Sequence, residues 1–411
     1  MESCEETLWW HVYPLGACGA PIRGERRTAH RLPRLTSALD HAADIGLNGA
    51  LLGPIFQSST HGYDTTDYFA IDDRLGDESD FDALVGACRD RGMRILLDGV
   101  FSHVGADHPL LASALREGPD SWAGRLFHID FDSEGGPYPW FFEGHTDLVR
   151  FEHAHEEAIG YVTDIMRHWL ARGIDGWRLD AAYSVAPAFW AEVLRRVRAE
   201  YPDAYFLGEV IHGDYAALVE EGTLSTLTQY ELWKSIWSSL KEKNFFELDW
   251  TLSRHNGFLD HFVPQTFIGN HDVTRIASIL GPHGAVAALA ILMTLGGTPS
   301  IYYGDELGAT GVKEDRPGGD DAVRPPLPSS EPVFEDAARL LEAHRELIAL
   351  RRARPWLTRA RTTPVELHNE QYRYRAAAPG GEGELEVRLD VSGERPCIAI
   401  SEGGRVIWSR A

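Results

Sequence analysis

Short apolar runs alternate with helical patterns through most of this chain, which is typical of a parallel sheet with crossover helices. A closed barrel of parallel strands, each followed by a helix, requires eight such runs. The sequence offers eight candidate strands: Leu8–Tyr13, Gly49–Ile55, Arg94–Phe101, Gly176–Asp180, Ala204–Val210, Thr226–Tyr230, Thr266–Gly269 and Ser300–Tyr303. We therefore predict an α/β fold built on a (β/α)8 TIM barrel.

The segments between the strands carry helical signals. Apolar residues recur at helical spacing from Phe81 to Cys88, after a predicted Ser79/Asp80 cap, and the pattern stops at Gly92. A second stripe over Ile159–Leu170 ends at Gly173, before the next strand. Both stripes predict helices that pack against the sheet.

Two regions depart from the alternation. Residues 104–150 are rich in Gly, Pro and aromatic residues, and a long irregular segment inside a compact domain is usually functional. From about Trp356 apolar and polar residues alternate strictly, which predicts a small antiparallel β-domain. The predicted organisation is a barrel over 1–103 and 151–355, an inserted domain B over 104–150, and a C-terminal β-domain over 356–411.

The composition of the chain limits the classes of partner that the protein can bind. The 411 residues include 39 Lys and Arg against 62 Asp and Glu, a net charge of -23 that argues against nucleic acid or an anionic membrane surface. No secretory signal and no apolar run of bilayer length is evident, and the four cysteines form no C-x-x-C pair. We expect a cytoplasmic protein with a neutral substrate and no membrane partner, with a mature secreted protein as the alternative, and leave a homodimer open.

Polar residues close four of the predicted strands. Strand three ends in the segment Asp98–His103, and the other three end at Asp180, Glu209 and His271–Asp272. Functional groups in such barrels lie at the carboxyl ends of strands, so we expect three carboxylates and two imidazoles on one rim: Asp180, Glu209, Asp272, His103 and His271. Cleaving a glycosidic bond with retention needs two carboxyl groups about 5–5.5 Å apart. Strands about 4.7–4.9 Å apart can supply that separation. Arg178, two residues before Asp180, points to the same side and can keep Asp180 ionised.

These strand ends resemble the conserved segments of glycoside hydrolase family 13, the α-amylase family, over roughly the first 330 residues. The matching segments are Gly176-Trp-Arg-Leu-Asp180, Gly208-Glu209 and Asn270-His-Asp272. The resemblance implies that Asp180 is the nucleophile and Glu209 the general acid/base. It also implies that Asp272 stabilises the oxocarbenium-like transition state.

Further segments resemble the sugar-binding residues of the family. The run His61–Tyr68 is similar to the segment that carries the stacking tyrosine, here Tyr63. His103, Arg178 and His271 match groups that hold the reacting glucosyl unit. Asp320 and Arg324, at i, i+4 spacing, match a further pair of substrate-binding residues.

Ser102 stands where many family members carry an asparagine that binds calcium. A serine hydroxyl is a poorer calcium ligand than an amide or carboxylate oxygen, which argues against a structural calcium. No H-E-x-x-H or cysteine-rich spacing appears, so we predict no metal and no cofactor.

The Gly176–Asp180 and Trp140–Phe142 segments and the lack of a visible secretion signal resemble the cyclomaltodextrinase/neopullulanase branch. That branch usually carries an N-terminal β-domain, which we do not expect in this chain. The expected function is hydrolysis of α-1,4 or α-1,6 links in maltooligosaccharides, cyclic dextrins or related oligosaccharides. An alternative is transglycosylation or isomerisation through the same covalent intermediate, because only the acceptor differs. A catalytically inactive amylase-like binding protein is a third hypothesis, which the retained carboxylates disfavour.

Overall fold

A computed structural model describes residues 4–327 and 337–411 of the chain. Eight parallel strands form one sheet in the order β6-β5-β4-β3-β2-β1-β8-β7, and a parallel bridge between Thr228 and Gln265 joins the segment after β6 to β7. The strands are β1 (Trp9–Val12), β2 (Gly49–Leu52), β3 (Arg94–Gly99), β4 (Gly176–Leu179), β5 (Tyr205–Gly208), β6 (Thr226–Leu227), β7 (Gln265–Phe267) and β8 (Thr298–Tyr302). This is the predicted (β/α)8 barrel.

All eight strands occur where the sequence predicts them, although most are shorter than expected. Strand β2 stops at Leu52 and not at Ile55, and β4 stops at Leu179, one residue before Asp180. Strand β4 is buried along its length and begins at Gly176, where a Cβ atom would lie 1.9 Å from the carbonyl oxygen of Tyr205 on β5. Glycine therefore allows the two strands that carry the candidate carboxylates to approach closely.

The described residues contain these helices: α1 (Pro14–Ala17), α2 (Leu32–Asp44), α3 (Glu78–Asp90), α4 (Pro109–Glu117), α5 (Glu156–Ala171), α6 (Pro187–Arg198), α7 (Tyr215–Gly222), α8 (Tyr230–Glu242), α9 (Phe246–Phe258), α10 (Ile276–Thr294) and α11 (Ala337–Arg352). The predicted Ser79/Asp80 cap of α3 is wrong. Asp77 is the cap, and its side chain accepts the backbone N–H groups of Ser79 and Asp80 in a capping box. Gly173 follows α5 at φ 98°, as its predicted role in ending that helix requires.

Short antiparallel strands occupy the irregular regions of the chain. Around the predicted insertion they are His103–Gly105, Ile129–Asp130, Tyr138–Pro139, Phe141–Phe142 and His145–Arg150. The strand His145–Arg150 pairs with His103–Gly105 on one side and with Phe141–Phe142 on the other. A further hairpin, Phe56–Ser58 with Thr65–Ile71, was not predicted, and its loop carries Tyr63.

A five-stranded antiparallel sheet follows α11, as the alternation predicts. Its strands, in both chain and sheet order, are β9 (Arg361–Leu367), β10 (Gln371–Ala377), β11 (Glu384–Asp390), β12 (Cys397–Glu402) and β13 (Arg405–Arg410). Leu385, Val387 and Leu389 on β11 are buried, whereas Glu384 and Arg388 are exposed. One face of this sheet therefore packs against the protein.

The chain divides into two compact units. One comprises Met1–Val12, Leu39–Ala50 and Thr228–Ala411, and the other comprises Tyr13–Ala38 and Leu51–Leu227. Strands β3 to β6 belong to the second unit, and β1 and β7 to β13 belong to the first. This division into two units differs from the predicted domains, whose boundaries at 103, 150 and 355 stay a prediction.

Helix α10 contradicts the expectation that no apolar run reaches bilayer length. It has 19 residues and a mean hydropathy of 1.9. Most of it is buried within the described residues, and the backbone leaves the helical conformation at Gly281, just before Pro282. These features are those of a buried core helix.

Candidate active site

Three strand ends of the second unit bring four charged side chains together. In the sheet register, Arg178 on β4 lies opposite Asp98 on β3, and Leu179 lies opposite Gly208 on β5. Asp180 and Glu209 each follow directly, and the Glu209 N–H donates to the Leu179 carbonyl over 2.9 Å. All four charged side chains are buried. The register thus places the two candidate catalytic carboxylates at neighbouring strand ends.

Arg178 contacts all three of these carboxylates. Its Nη1 lies 2.6 Å from Asp98 Oδ2 and 3.2 Å from Asp180 Oδ1, and its Nη2 lies 2.8 Å from Glu209 Oε1. Burial alone would lower the pKa of Arg178, but the neighbouring carboxylates, led by Asp98, raise that pKa well above its ordinary value. The guanidinium therefore stays charged and balances part of the negative charge of the cluster.

Asp98 has a larger part in this cluster than the sequence indicated. Its carboxylate is fully buried, receives both contacts from Arg178 Nη1, and accepts a hydrogen bond from the Tyr63 hydroxyl over 3.0 Å. The sequence identified Asp98 only as the end of a strand. Its burial beside Arg178 is a consequence of the strand register, which the sequence alone does not give.

Glu209 is also fixed from the turn after β4. Its Oε2 accepts the backbone N–H of Ala181 over 3.0 Å. Ala181 is in the left-handed region, at φ 44° and ψ 40°, which is uncommon for a residue with a Cβ atom. This conformation directs the N–H toward Glu209, so the residue after Asp180 contributes through its backbone.

His103 is buried and has protein partners at both ring nitrogens. Nε2 lies 2.9 Å from the Tyr63 carbonyl, which can only accept, so we assign the ring proton to Nε2. Nδ1 then accepts the Ser102 hydroxyl over 2.7 Å. Burial lowers the pKa of His103 to about 3, so the ring is neutral. The Ser102 hydroxyl is thus directed to His103.

A two-residue hairpin turn covers this part of the second unit. Glu143, at φ 48°, and Gly144, at φ 83°, connect Phe141–Phe142 to His145–Arg150. The Phe142 ring stacks on His103 with ring centroids 4.4 Å apart. The Tyr183 hydroxyl donates to Glu143 Oε1 over 2.9 Å, and burial together with Glu143 raises the pKa of Tyr183. The sequence did not single out Glu143 or Tyr183.

The remaining predicted residues form a second group, in the first unit. His271 is buried, and its Nε2 lies 3.0 Å from Asp272 Oδ2. Arg324 donates from Nη2 to Asp272 Oδ1 over 2.8 Å and from Nε to the His271 carbonyl over 2.9 Å. Asp320 and Arg324, the predicted i, i+4 pair, form an ion pair in which Arg324 Nη2 lies 3.4 Å from Asp320 Oδ2. His11, which the sequence did not indicate, lies 3.2 Å from His271 Nδ1 through its Nε2.

Side chains able to bind a metal ion cluster elsewhere. Among residues 4–327 and 337–411, one group of at least three such side chains has its ligand atoms within 4.8 Å of one another, namely His30, Asp77 and Asp80. Asp77 and Asp80 already accept backbone N–H groups at the start of α3. This exposed group therefore has a structural explanation as a helix cap.

A match to one protein-family model over most of the chain assigns this protein to a family. The family model described as "Alpha amylase, catalytic domain" matches residues 23–346. The chain belongs to the α-amylase family. It is 30% identical over 385 residues to a cyclomaltodextrinase of Geobacillus thermopakistaniensis (strain MAS1), covering 85% of this chain and 63% of that protein.

Other α-amylase family relatives agree with this match. An intracellular maltogenic amylase of Bacillus subtilis (strain 168) is 32% identical over 299 residues, 69% of this chain and 50% of that protein. The structure of the cyclic α-maltosyl-(1→6)-maltose hydrolase from Arthrobacter globiformis superposes with a TM-score of 0.82 at 26% identity, covering 94% of this chain and 91% of that one. The chain thus spans between half and two thirds of the length of the two curated relatives, the cyclomaltodextrinase and the maltogenic amylase.

Proposed function

We propose that this α-amylase family protein is a retaining glycoside hydrolase that acts on α-1,4- or α-1,6-linked gluco-oligosaccharides. The substrates are maltooligosaccharides, cyclic dextrins or related cyclic or branched maltosides. The observation that carries the proposal is the contact of one guanidinium, that of Arg178, with both Asp180 and Glu209 at neighbouring strand ends. Retaining hydrolysis requires two carboxyl groups placed close together in this way.

Asp180 is the proposed nucleophile. Its Oδ1 contacts Arg178, whose positive charge favours the carboxylate form that attack on the anomeric carbon requires. Attack forms a glycosyl ester on Asp180, and the bond to the leaving oxygen breaks in the same step. Water then attacks the anomeric carbon and releases the Asp180 carboxylate.

Glu209 is the proposed general acid/base. It donates a proton to the leaving oxygen in the first step and accepts a proton from water in the second. The Ala181 N–H and Arg178 Nη2 each hold one of its carboxyl oxygens, so the group is oriented before substrate binds. A fixed orientation of the proton donor lowers the entropic cost of reaching the transition state.

Asp272 is the proposed stabiliser of the transition state, by its motif. His271 and Arg324 contact its two carboxylate oxygens, one each, which fixes the group within its own unit. The sugar-binding roles proposed for the remaining positions also rest on the family motifs: Tyr63 as the stacking platform, with His103, Arg178, His271, Asp320 and Arg324 as partners of the sugar hydroxyl groups.

We propose that this activity needs no cofactor and no structural calcium. The Ser102 hydroxyl is buried and engaged with His103 Nδ1, so it does not fit the calcium-ligand role of the asparagine found in many family members. The relative named as intracellular supports a cytoplasmic location. An oligosaccharide is the proposed partner, and a homodimer stays a hypothesis.

Product analysis of the purified protein tests this function. The substrates are maltooligosaccharides, cyclodextrins, pullulan, isomaltose and sucrose, each at the same concentration of glucosyl units. We expect shorter maltooligosaccharides from the first three. Products longer than the substrate would indicate transglycosylation, because a sugar hydroxyl then replaces water as the acceptor. No turnover of any α-glucoside would overturn the proposal and favour a binding protein.

A further inference from the structure

The backbone on both sides of Arg324 is held by buried side chains. The Val323 carbonyl accepts hydrogen bonds from the Tyr302 hydroxyl, over 3.0 Å, and from Arg275 Nε, over 3.2 Å. The Pro325 carbonyl accepts the Tyr303 hydroxyl over 2.6 Å. The two carbonyl groups that flank Arg324 therefore have three side-chain donors between them.

The three donors are themselves held in place. Tyr302, Tyr303 and Arg275 are all buried, and the Arg275 guanidinium lies 4.0 Å from the centroid of the Tyr302 ring. Arg275 Nη1 also donates to the Tyr303 carbonyl over 2.6 Å and to Asp305 Oδ1 over 2.9 Å. Because Tyr302 ends strand β8 and Tyr303 follows it directly, this cluster connects the barrel sheet to the Arg324 segment.

The segment needs such support. Within the described stretch from Val312 to Leu327 the only regular element is a 3-10 turn at Asp321–Val323, and the residues from Val312 to Pro317 are exposed. Pro325 and Pro326 have no N–H to donate. The Arg324 N–H donates to the Asp321 carbonyl over 3.1 Å, within the 3-10 turn. The hydroxyl groups of Tyr302 and Tyr303 connect the carbonyl groups on either side of Arg324 to the rest of the unit.

Arg324 connects this support to Asp272. Its Nε donates to the His271 carbonyl and its Nη2 to Asp272 Oδ1, so a shift of the Arg324 backbone would move a contact of the carboxylate. We propose that Tyr302, Tyr303 and Arg275 are positioning residues that act through Arg324 to orient Asp272. This inference rests on the proposed function, in which Asp272 acts mainly in the transition state.

Removing one hydroxyl at a time tests the proposal. Tyr302→Phe and Tyr303→Phe each keep the ring and should lower kcat about 3- to 10-fold with KM nearly unchanged, because the lost orientation matters most in the transition state. Tyr374→Phe is the matched control. It removes another buried hydroxyl, one that contacts Thr294 Oγ1 over 2.6 Å, and should leave kcat unchanged.

An Arg324→Lys background distinguishes positioning from a general loss of structure. Lysine cannot reproduce the two contacts of Arg324, so Tyr302→Phe and Tyr303→Phe should have little further effect on kcat there. Equal effects in both backgrounds, or an unchanged kcat in both single variants, would overturn the proposal.

Amide hydrogen exchange gives a measurement that does not depend on activity. Residues 320–324 should exchange faster in Tyr302→Phe and Tyr303→Phe than in the wild type or in Tyr374→Phe. If the wild type cleaves no α-glucoside, the proposed function fails, and the exchange result alone decides whether these tyrosines hold the Arg324 segment. Unchanged exchange in both variants would overturn the inference whatever the activity.

Discussion

The backbone N–H of Ala181 donates a hydrogen bond to Glu209 Oε2 over 3.0 Å, directly after the proposed nucleophile. One turn in the left-handed conformation thereby connects the end of β4 to the carboxylate at the end of β5. Arg178 contacts the other oxygen of Glu209 and also Asp180. The geometry of the two proposed catalytic groups thus depends on one backbone turn and one guanidinium.

Neutral replacements of these two carboxylates should abolish most turnover. Asp180→Asn and Glu209→Gln preserve shape but remove the carboxylates proposed as nucleophile and acid/base, so we expect kcat to fall by about 10⁴ or more in each. Azide should partly restore activity of Glu209→Ala on an activated aryl α-glucoside. The control is Asp120→Asn, at a fully exposed carboxylate, which should retain wild-type activity. Wild-type kcat in either catalytic variant would refute the assignment.

The sequence predicted the barrel and the strand-end carboxylates because both are local signals. Each strand is a short apolar run, and Asp180 or Glu209 follows its own run directly. The contact between the Tyr63 hydroxyl and Asp98 joins residues 35 apart and depends on the hairpin Phe56–Ile71, which has no clear pattern in the sequence. Local sequence patterns do not predict contacts of this kind, because such contacts depend on how distant segments pair in the fold.

Other parts of the site depend on backbone conformations that the sequence does not reveal. Ala181 and Glu143 both adopt positive φ, and neither is a residue type that favours this region. Their conformations determine the contacts with Glu209 and with Tyr183. The predicted cap at Ser79/Asp80 was wrong for a different reason, because Asp77, Ser79 and Asp80 are all residue types that cap helices and stand within four positions.

Asp98→Asn should lower both stability and turnover. The substitution removes the carboxylate that gives Arg178 its two shortest contacts within a fully buried pair, and breaking such a pair typically costs about 3–5 kcal/mol. Denaturant unfolding measures the loss, and steady-state kinetics measures kcat. Asp175→Asn is the control, because its ion pair with Arg94 is partly exposed and should lose less. Equal losses in the two variants would contradict the proposed importance of Asp98.

Acid should destabilise the protein through its buried histidines, and His108 allows this to be measured. Burial lowers the pKa of His108 to about 4, below the value of about 6.5 in the unfolded chain, so the unfolded state binds the proton more tightly. The contribution of neutral His108 to the free energy of unfolding is therefore complete above about pH 6.5. It is lost as the pH falls toward 4, by up to about 1.4 kcal/mol per pH unit.

His108→Asn should make this decline shallower. Asparagine can still accept the Leu110 N–H at the start of α4, but it does not titrate. The free energy of unfolding, measured from pH 7 to pH 4, should depend less on pH in this variant. Parallel curves for His108→Asn and the wild type would show that folding does not lower the pKa of His108.

Chelation should leave the protein unchanged. The Ser102 hydroxyl donates to His103 and lacks the strong oxygen donor character that calcium prefers, so we expect the same kcat and thermal midpoint after prolonged EDTA treatment. A calcium-requiring α-amylase treated in parallel verifies that the chelator was effective. A loss of activity that added calcium restores would refute the inference from Ser102.

The anomer of the first product tests the pair Asp180 and Glu209 together. An inverting enzyme needs room for a water between its carboxyl groups, which then lie about 6.5–9.5 Å apart, whereas retention requires about 5–5.5 Å. Neighbouring strand ends about 4.7–4.9 Å apart, and a single guanidinium in contact with both groups, favour the shorter separation. We therefore expect the α-anomer as the nascent product, observed by proton NMR before mutarotation.

Tyr63→Ala should slow turnover as the sugar ring loses its platform, but its product should remain the α-anomer, because the carboxylates are unchanged. A β-anomer that appears first in the wild type would exclude Asp180 as a nucleophile.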